Sequence, residues 1–185
     1  MTKSQEEFDY TFKIPMLKRS TKPIYIRDKN LNEVGILKKY YSSIGDRLAD
    51  QVASLVNKTN YRISLTDSEN TCNSVCAKLK KTLFREKWTF FLNDNKKIGS
   101  LINKTNISTN IRYIYSREKE KDTYEIKSDF LDRNVYIYDN DGIIVARVFY
   151  TKMISRDYYI KVNIIDLLSL EEIILLTINT LPKEN

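Results

Sequence analysis

The stretch that decides the fold is Ser169-Leu-Glu-Glu-Ile-Ile-Leu-Leu-Thr-Ile-Asn-Thr-Leu181, which Pro182 follows. Its apolar residues point around most of the circumference of a helix, and such a helix belongs in a protein core. Ser169 and Glu172 have the spacing of a capping box, although Asp166 could instead cap a helix that begins at Leu167. About twelve helical residues span roughly 18 Å, which is too short to cross a bilayer.

The surroundings of this helix are predicted from a phrase that the sequence repeats. Each copy has an aromatic-led strand, a turn with an Asp, and a second strand with a small residue near its start. The copies span residues 25–38, 61–78, 88–102 and 136–147. Alternating or aromatic-rich segments predict further strands in 7–14, 112–116, 123–127 and 158–163. The total approaches a dozen strands.

A mainly β fold follows, namely a closed antiparallel barrel of about 12 strands around the central apolar C-terminal helix. A barrel of this size leaves a lumen that something must fill, and closure removes aggregation-prone sheet edges. A lumen filled by Ile and Leu leaves no sizeable ligand pocket, so we expect any binding on the outer wall. Residues 1–185 have the length of a single domain.

One segment departs from the strand pattern. In residues 43–57 the apolar residues Ile44, Leu48 and Val52 recur at helical spacing, which predicts an extra amphipathic helix packed on the barrel wall. The alternative is a membrane-surface helix, which Asp46 and Asp50 disfavour because they give the segment the wrong charge for anionic lipid.

The repeated hairpins, the stretch Tyr136-Ile-Tyr-Asp-Asn-Asp-Gly-Ile-Ile-Val-Ala146, the stretch Asp157-Tyr-Tyr-Ile-Lys-Val162 and the apolar helix together resemble the tubby C-terminal-like superfamily. That group includes tubby proteins, plant LURP-one-related proteins, phospholipid scramblases and small bacterial homologues. The resemblance covers about residues 12–181 and is closest to the small bacterial members. It implies a closed barrel of about twelve strands around a central helix, and phosphoinositide headgroups as a ligand class.

Catalytic and metal sites find little support in the sequence. The chain has no His, the commonest general base and zinc ligand, and it has no glycine-rich phosphate loop. Cys72 and Cys76 are interpreted as spare thiols, and Asp139 with Asp141 as a plain turn whose spacing does not fit a calcium loop. Residues 117–122 are interpreted as a solvated hairpin loop. We therefore expect no catalytic residues, no cofactor and no metal.

Basic residues form the remaining candidate site. The net charge is +7, and the basic excess lies in the first two-thirds of the chain, which either keeps the protein soluble or binds an anionic partner. On a strand through 75–81, Val75, Ala77 and Leu79 would face inward, with Cys76, Lys78 and Lys80 outward. The predicted lipid- or anion-binding residues on the outer wall are Lys78, Lys80, Lys81, Arg85, Lys87, Lys96 and Lys97.

The sequence therefore predicts a non-enzymatic binding or scaffold domain, cytoplasmic and peripheral at the membrane, whose outer basic surface contacts anionic phospholipid or a phosphoinositide-like headgroup. One alternative is nucleic-acid binding by the same surface, for which Tyr40 and Tyr41 beside Lys38 and Lys39 offer stacking groups. Another is a lipid scramblase, which would need a membrane-embedded terminal helix or acylated cysteines as an anchor.

Overall fold

A computed structural model of the chain describes residues 7–14, 21–45, 47, 59–77, 86–106, 110–119, 122–129, 133–150 and 157–181. Within these residues the chain forms twelve strands followed by a helix. They are β1 (Tyr10–Lys13), β2 (Ile24–Asp28), β3 (Glu33–Tyr40), β4 (Asn60–Leu65), β5 (Thr71–Cys76), β6 (Lys87–Leu92), β7 (Lys96–Asn103), β8 (Asn110–Arg117), β9 (Thr123–Asp129), β10 (Asn134–Tyr138), β11 (Ile144–Tyr150), β12 (Asp157–Val162) and the helix α1 (Leu170–Thr180).

The strands form a closed antiparallel barrel in which each strand pairs with its neighbours in sequence. Closure comes from β1, which pairs with β2 on one side and with β12 on the other. The register places Tyr10 opposite Ile160 and Lys13 opposite Asp157. The predicted mainly β fold, the strand number and the central helix are therefore confirmed.

The helix α1 occupies the lumen. Ser169 is its N-cap, and the capping box is complete because Ser169 Oγ accepts from Glu172 N while the Glu172 carboxylate accepts from Ser169 N. Asp166 is thus not the cap. From Glu172 to Thr180 every residue of α1 is buried, and its aliphatic side chains meet the inward residues of the strands. This burial is the reason that a helix with almost no polar face is stable here.

The barrel has two distinct ends, which α1 defines. Its helix-entry end is where α1 begins, and it also holds the hairpin turns 29–32, 66–70, 93–95 and 139–143. At the helix-exit end, where α1 finishes, lie the last residue of β5 and the first residue of β6, Cys76 and Lys87. Alternate strands run in opposite directions, so every second connection lies at the same end.

The small residue in the repeated phrase fits between large neighbours inside the barrel. A Cβ built on Gly99 would lie 2.5 Å from Tyr115 Oη, and one built on Gly35 would lie 2.7 Å from Leu65 Cδ2. Ala146, the small residue of the last copy, is fully buried opposite Ile137. The repeat therefore encodes space for the side chain of an adjacent strand.

Two detailed predictions are not supported. The amphipathic helix over 43–57 falls mostly outside the described residues; Arg47 N donates to Ser43 O, but Ile44, assigned to its packed face, is 81% exposed.

The inward and outward faces of β5 were predicted the wrong way round. Cys76 packs against the core and Val75 does not, because Cys72 and Ser74 face α1 and set the alternation. Leu79, Lys78 and Lys80 lie outside the described residues.

Candidate functional site

The predicted basic residues do not form one continuous surface in the described part of the barrel. Lys87 opens β6 at the helix-exit end, where it is half-buried and pairs with Ile102. Lys96 and Lys97 open β7 at the helix-entry end, where both are exposed. The length of β6 separates the two positions by about 17 Å. Lys78, Lys80, Lys81 and Arg85 lie outside the described residues, in the connection between β5 and β6.

Lys97 is held by an ion pair with Glu118, and each side chain is about half exposed. A surface pair of this kind contributes little to stability. The Glu118 carboxylate also offsets the positive charge of Lys97, so that Lys97 attracts an anion less strongly than an unpaired lysine does. Lys97 is therefore a weaker anion-binding candidate than its position in the sequence indicates.

Charge is distributed unevenly along the barrel axis. The described turns and loops of the helix-entry end contain more acidic than basic groups, even with the two lysines that begin β7 included: Asp67, Glu69, Asp94, Glu118, Asp122, Asp139, Asp141 and Asp166 against Lys29, Lys96, Lys97 and Lys119. The connections at the other end begin and finish at described residues, and their sequence contains the basic residues Lys18, Arg19, Lys22, Arg47, Lys58, Lys78, Lys80, Lys81, Arg85, Lys104, Arg133, Lys152 and Arg156 against the acidic residues Asp46, Asp50, Glu86 and Asp132. The chain order alone thus assigns opposite charge to the two ends.

At the helix-entry end, a buried carboxylate fixes α1 to the wall. Glu172 is 2% exposed, and its Oε1 accepts from Tyr115 Oη at 2.7 Å and from Arg117 Nε at 3.1 Å. Its Oε2 accepts from Arg117 Nη2 at 3.0 Å and from Ser169 N at 3.1 Å. Arg117 Nη1 also donates to Leu167 O at 3.1 Å. Every oxygen of this buried anion is matched, as burial of a charge requires.

This network corrects the interpretation of residues 117–122 as a solvated loop. Arg117 is the last residue of β8, and its guanidinium turns toward the lumen, where the side chain is 24% exposed. Burial and the Glu172 carboxylate both raise the pKa of Tyr115, and burial, with a smaller effect of Glu172, raises the pKa of Cys72 to about 12. Both shifts have a structural cause, because burial disfavours the charged form of each group.

Beside this network lies a cleft of about 350 Å³ between the β2–β3 turn and the loop from β12 to α1. Leu168, Leu170 and Ile173 form its apolar floor, and Ile165 at its edge is 77% exposed. The acidic groups around it are Asp9, Asp28 and Asp166, and Lys29 is the basic group among its lining residues.

An aromatic and basic surface covers the outer wall of β9 to β12, and we call it the aromatic–basic wall. Lys127 Nζ lies 5.0 Å from the ring centroid of Tyr138, and Arg147 Cζ lies 5.4 Å from that of Phe149. Phe149 stacks on Tyr159 with centroids 5.3 Å apart. The members of this wall are Lys127, Tyr136, Tyr138, Arg147, Phe149 and Tyr159.

This wall is not among the surfaces predicted from the sequence, although the pattern that marks it is present there. Tyr136 and Tyr138 alternate with buried residues on one strand, and Arg147 and Phe149 do so on the next. Tyr40 and Tyr41, which the sequence offers as stacking groups, already have cations over their rings. Lys39 Nζ lies 5.1 Å from the ring centroid of Tyr41, and Arg62 Cζ lies 5.6 Å from that of Tyr40.

The described residues also bear on membrane spans, metal sites and disulfides. They contain no helix with the length and hydropathy to span a membrane, and no group of three His, Cys, Asp or Glu side chains placed to hold a metal ion. Neither Cys72 nor Cys76 is in a disulfide. Asp139 Oδ1 accepts from Asp141 N and Ile143 N, which is the hydrogen bonding of a turn, as predicted.

Comparison with known proteins adds one finding to this geometry. Searches of curated proteins and of solved structures returned no significant match. The family model described as "Tubby C-terminal like domain" matches residues 10–179, a range that runs from the first strand of the barrel into the buried helix. The chain therefore belongs to the Tubby C-terminal like domain family.

Proposed function

We propose that this chain is a non-enzymatic binding domain that attaches to anionic phospholipid surfaces through basic residues at the helix-exit end of the barrel. The observation that supports the proposal is the opposite charge of the two ends. A barrel with one basic end approaches an anionic surface in one orientation, with its acidic end turned away. The family supports the ligand class, because tubby-like domains in general bind phosphoinositides.

The residues proposed to make the contact are Lys78, Lys80, Lys81, Arg85 and Lys87. They belong to the connection between β5 and β6 and to the first residue of β6. We therefore expect an approach of the helix-exit end to bring them all near the membrane surface. Each basic residue near an anionic bilayer contributes about 1 kcal/mol, and the attraction falls off within a Debye length of about 8 Å. Lys96 and Lys97 begin about 17 Å away along the strand and contribute little in this orientation.

Co-sedimentation with vesicles tests this orientation. The triple variant Lys78→Glu, Lys80→Glu and Lys81→Glu should reduce binding to anionic vesicles by at least about 150-fold, which corresponds to about 3 kcal/mol. The matched variant Lys96→Glu should bind within about threefold of the parent. Binding of the parent should also weaken as salt is raised from about 0.05 M to physiological strength.

Equal binding of the parent to neutral and anionic vesicles would contradict the proposal, and so would no binding to either. A loss caused by Lys96→Glu as large as that of the triple variant would contradict the orientation. A peripheral position on the cytoplasmic side of a membrane is part of the same proposal. Scramblase-like anchoring through the terminal helix is not favoured, because α1 is enclosed by the barrel.

A second candidate is single-stranded nucleic-acid binding, which the aromatic–basic wall favours. Bases stack on aromatic faces beside cations, at about 1–3 kcal/mol per base. Two features oppose it: Arg147 already lies over the rings of Tyr136 and Phe149, and Lys127 pairs with Glu125 at 2.9 Å. A mobility shift with random single-stranded oligonucleotides tests it, and loss of the shift in Tyr138→Ala would support this wall as the binding surface.

A further inference from the structure

The cleft at the helix-entry end combines an apolar floor with exposed aliphatic surface. Leu168 and Ile173 are 4% and 1% exposed, so the floor belongs to the barrel core and keeps its shape. Ile165 at the edge leaves 77% of its surface in water. A cleft of about 350 Å³ is at the lower end of the range for binding pockets and accommodates a few aliphatic side chains.

The charges around the cleft select a cationic occupant. Asp28 Oδ1 accepts from the backbone N–H groups of Asn30 and Asn32, and Asp9 Oδ2 accepts from Val162 N. Neutral amides hold the Asp28 carboxylate in place and leave its negative charge, whereas Asp9 Oδ1 also pairs with Lys161 Nζ at 3.4 Å, which offsets part of the Asp9 charge. Asp166, at φ 79°, adds a third carboxylate on the loop that leads into α1. The complementary ligand is a peptide segment in which aliphatic and basic side chains are mixed.

The chain itself contains a segment of this chemistry, Lys78-Leu-Lys-Lys-Thr-Leu-Phe-Arg85. It joins β5 to β6 at the helix-exit end, where its flanking residues are tied together by Ala77 N donating to Lys87 O at 2.8 Å. The ten residues 77–86 must leave and return to this end, so they reach at most about 17 Å from it. The strands β5 and β6 are themselves about 17 Å long, and β1 and β12, which line the cleft, lie a further four to six strands around the barrel from them. The segment cannot reach the cleft of its own barrel.

We propose that the cleft of one copy binds the segment 78–85 of a second copy, so that the chain associates head to tail. The opposite charges of the two ends favour this approach over one between like ends. Each copy has one cleft and one segment, and these are different surfaces. The interface is therefore heterologous, and it adds further copies in a row unless the rotation closes a ring.

Sedimentation velocity of the full chain over a range of concentrations tests the proposal. At about 0.05 M salt the sedimentation coefficient should rise continuously with concentration, and at about 0.5 M salt it should rise less. Ile165→Asp removes the apolar edge and should raise the dissociation constant by about tenfold, because the lost aliphatic burial outweighs the attraction of one further solvent-exposed carboxylate for the basic segment. Ile143→Asp, at a 52% exposed position on another turn of the same end, is the matched control and should assemble like the parent.

Mixing two variants distinguishes head-to-tail association from a symmetric dimer. Ile165→Asp keeps the segment intact, and the double variant Lys80→Glu and Lys81→Glu keeps the cleft intact. Each variant alone should remain monomeric, whereas an equimolar mixture should form a one-to-one dimer and nothing larger. Ile165→Asp should still co-sediment with anionic vesicles, so failure of this proposal is distinguishable from failure of the lipid proposal.

Three results would overturn the inference: a parent that stays monomeric at every concentration at low salt, equal effects of Ile165→Asp and Ile143→Asp, or a variant mixture that stays monomeric. A labelled peptide of sequence 78–85 should bind the full chain, and binding should weaken in Ile165→Asp. Peptide binding by a chain that does not self-associate would also overturn the proposal and assign the cleft to a basic segment of another protein.

Discussion

Replacing Glu172 by Ala should destabilise the barrel more than any other single change in α1. The change removes the acceptor for Tyr115 Oη, for two nitrogens of Arg117 and for Ser169 N. Removing one partner of a buried ion pair costs about 3–5 kcal/mol. Arg117 retains Leu167 O and is 24% exposed, so water relieves part of the penalty and we expect about 3 kcal/mol.

Urea unfolding followed by fluorescence measures this loss directly, because Trp88 is the single Trp and is fully buried. The transition midpoint should fall while its slope with urea is unchanged. Glu171→Ala is the control; it removes a first-turn charge outside the network and should cost about 0.3–1 kcal/mol.

A double variant separates the ion pair from simple packing. Glu172→Leu combined with Arg117→Met replaces both charges by apolar groups and should recover most of the stability lost in either single variant. A decrease in the free energy of unfolding below about 1 kcal/mol in Glu172→Ala would refute the reasoning, because removal of a buried carboxylate leaves the groups that donate to it without their acceptor. A loss in Glu171→Ala equal to that in Glu172→Ala would refute it as well.

Three other predictions follow from the barrel interior. Gly99→Ala should cost about 1–3 kcal/mol in urea unfolding because its Cβ meets the Tyr115 ring, whereas Gly45→Ala, with nothing nearer than 3.7 Å, should be close to neutral; equal costs would contradict the steric argument. Cys72 should react slowly with iodoacetamide at about pH 8, since its folded pKa of about 12 lies above the ordinary value of 9.0, and the stability linked to this thiol is kept below about pH 9 and lost as pH rises toward 12. Urea transitions at neutral and alkaline pH measure that slope, which Cys72→Ala should reduce. Deleting residues 169–185 should abolish soluble expression by exposing the lumen, and a well-folded truncated barrel would refute the role of the central helix.

The architecture was predictable because its signals are local. Strand alternation, Asp-containing turns and the all-apolar helix can each be recognised within a dozen residues, and only one arrangement buries such a helix among so many strands. The faces of β5 were not predictable in the same way. Ser74 faces inward because its Oγ meets Asn179 of α1 at 2.9 Å, a contact between residues far apart in sequence. Polarity alone would have assigned Ser74 to the outside and Val75 to the inside.

The candidate sites depended on relations that sequence order hides. Lys87 and Lys96 are close in the chain, yet a hairpin strand carries them to opposite ends of the barrel. Arg117 lies in a run of charged residues that is typical of a solvated turn, and only the position of Glu172 shows that one guanidinium is directed inward. Charge composition predicted a basic surface, whereas its place on the barrel required the strand order.

The pairing of β1 with β12 has a consequence for how the chain is made. Thr11 Oγ1 donates to Tyr158 O across 147 positions of sequence, and the helix that fills the lumen follows β12. During synthesis β1 therefore emerges long before β12, the strand with which it pairs. The inner faces of the earlier strands likewise emerge before the helix that covers them. The other strand pairs join neighbours in sequence, so we expect this single distant pairing, which closes the longest loop at the highest entropic cost, to form late in folding. Yield in cells should consequently depend on chaperones that shield nascent apolar strands, and to a lesser degree on the stability of the finished barrel.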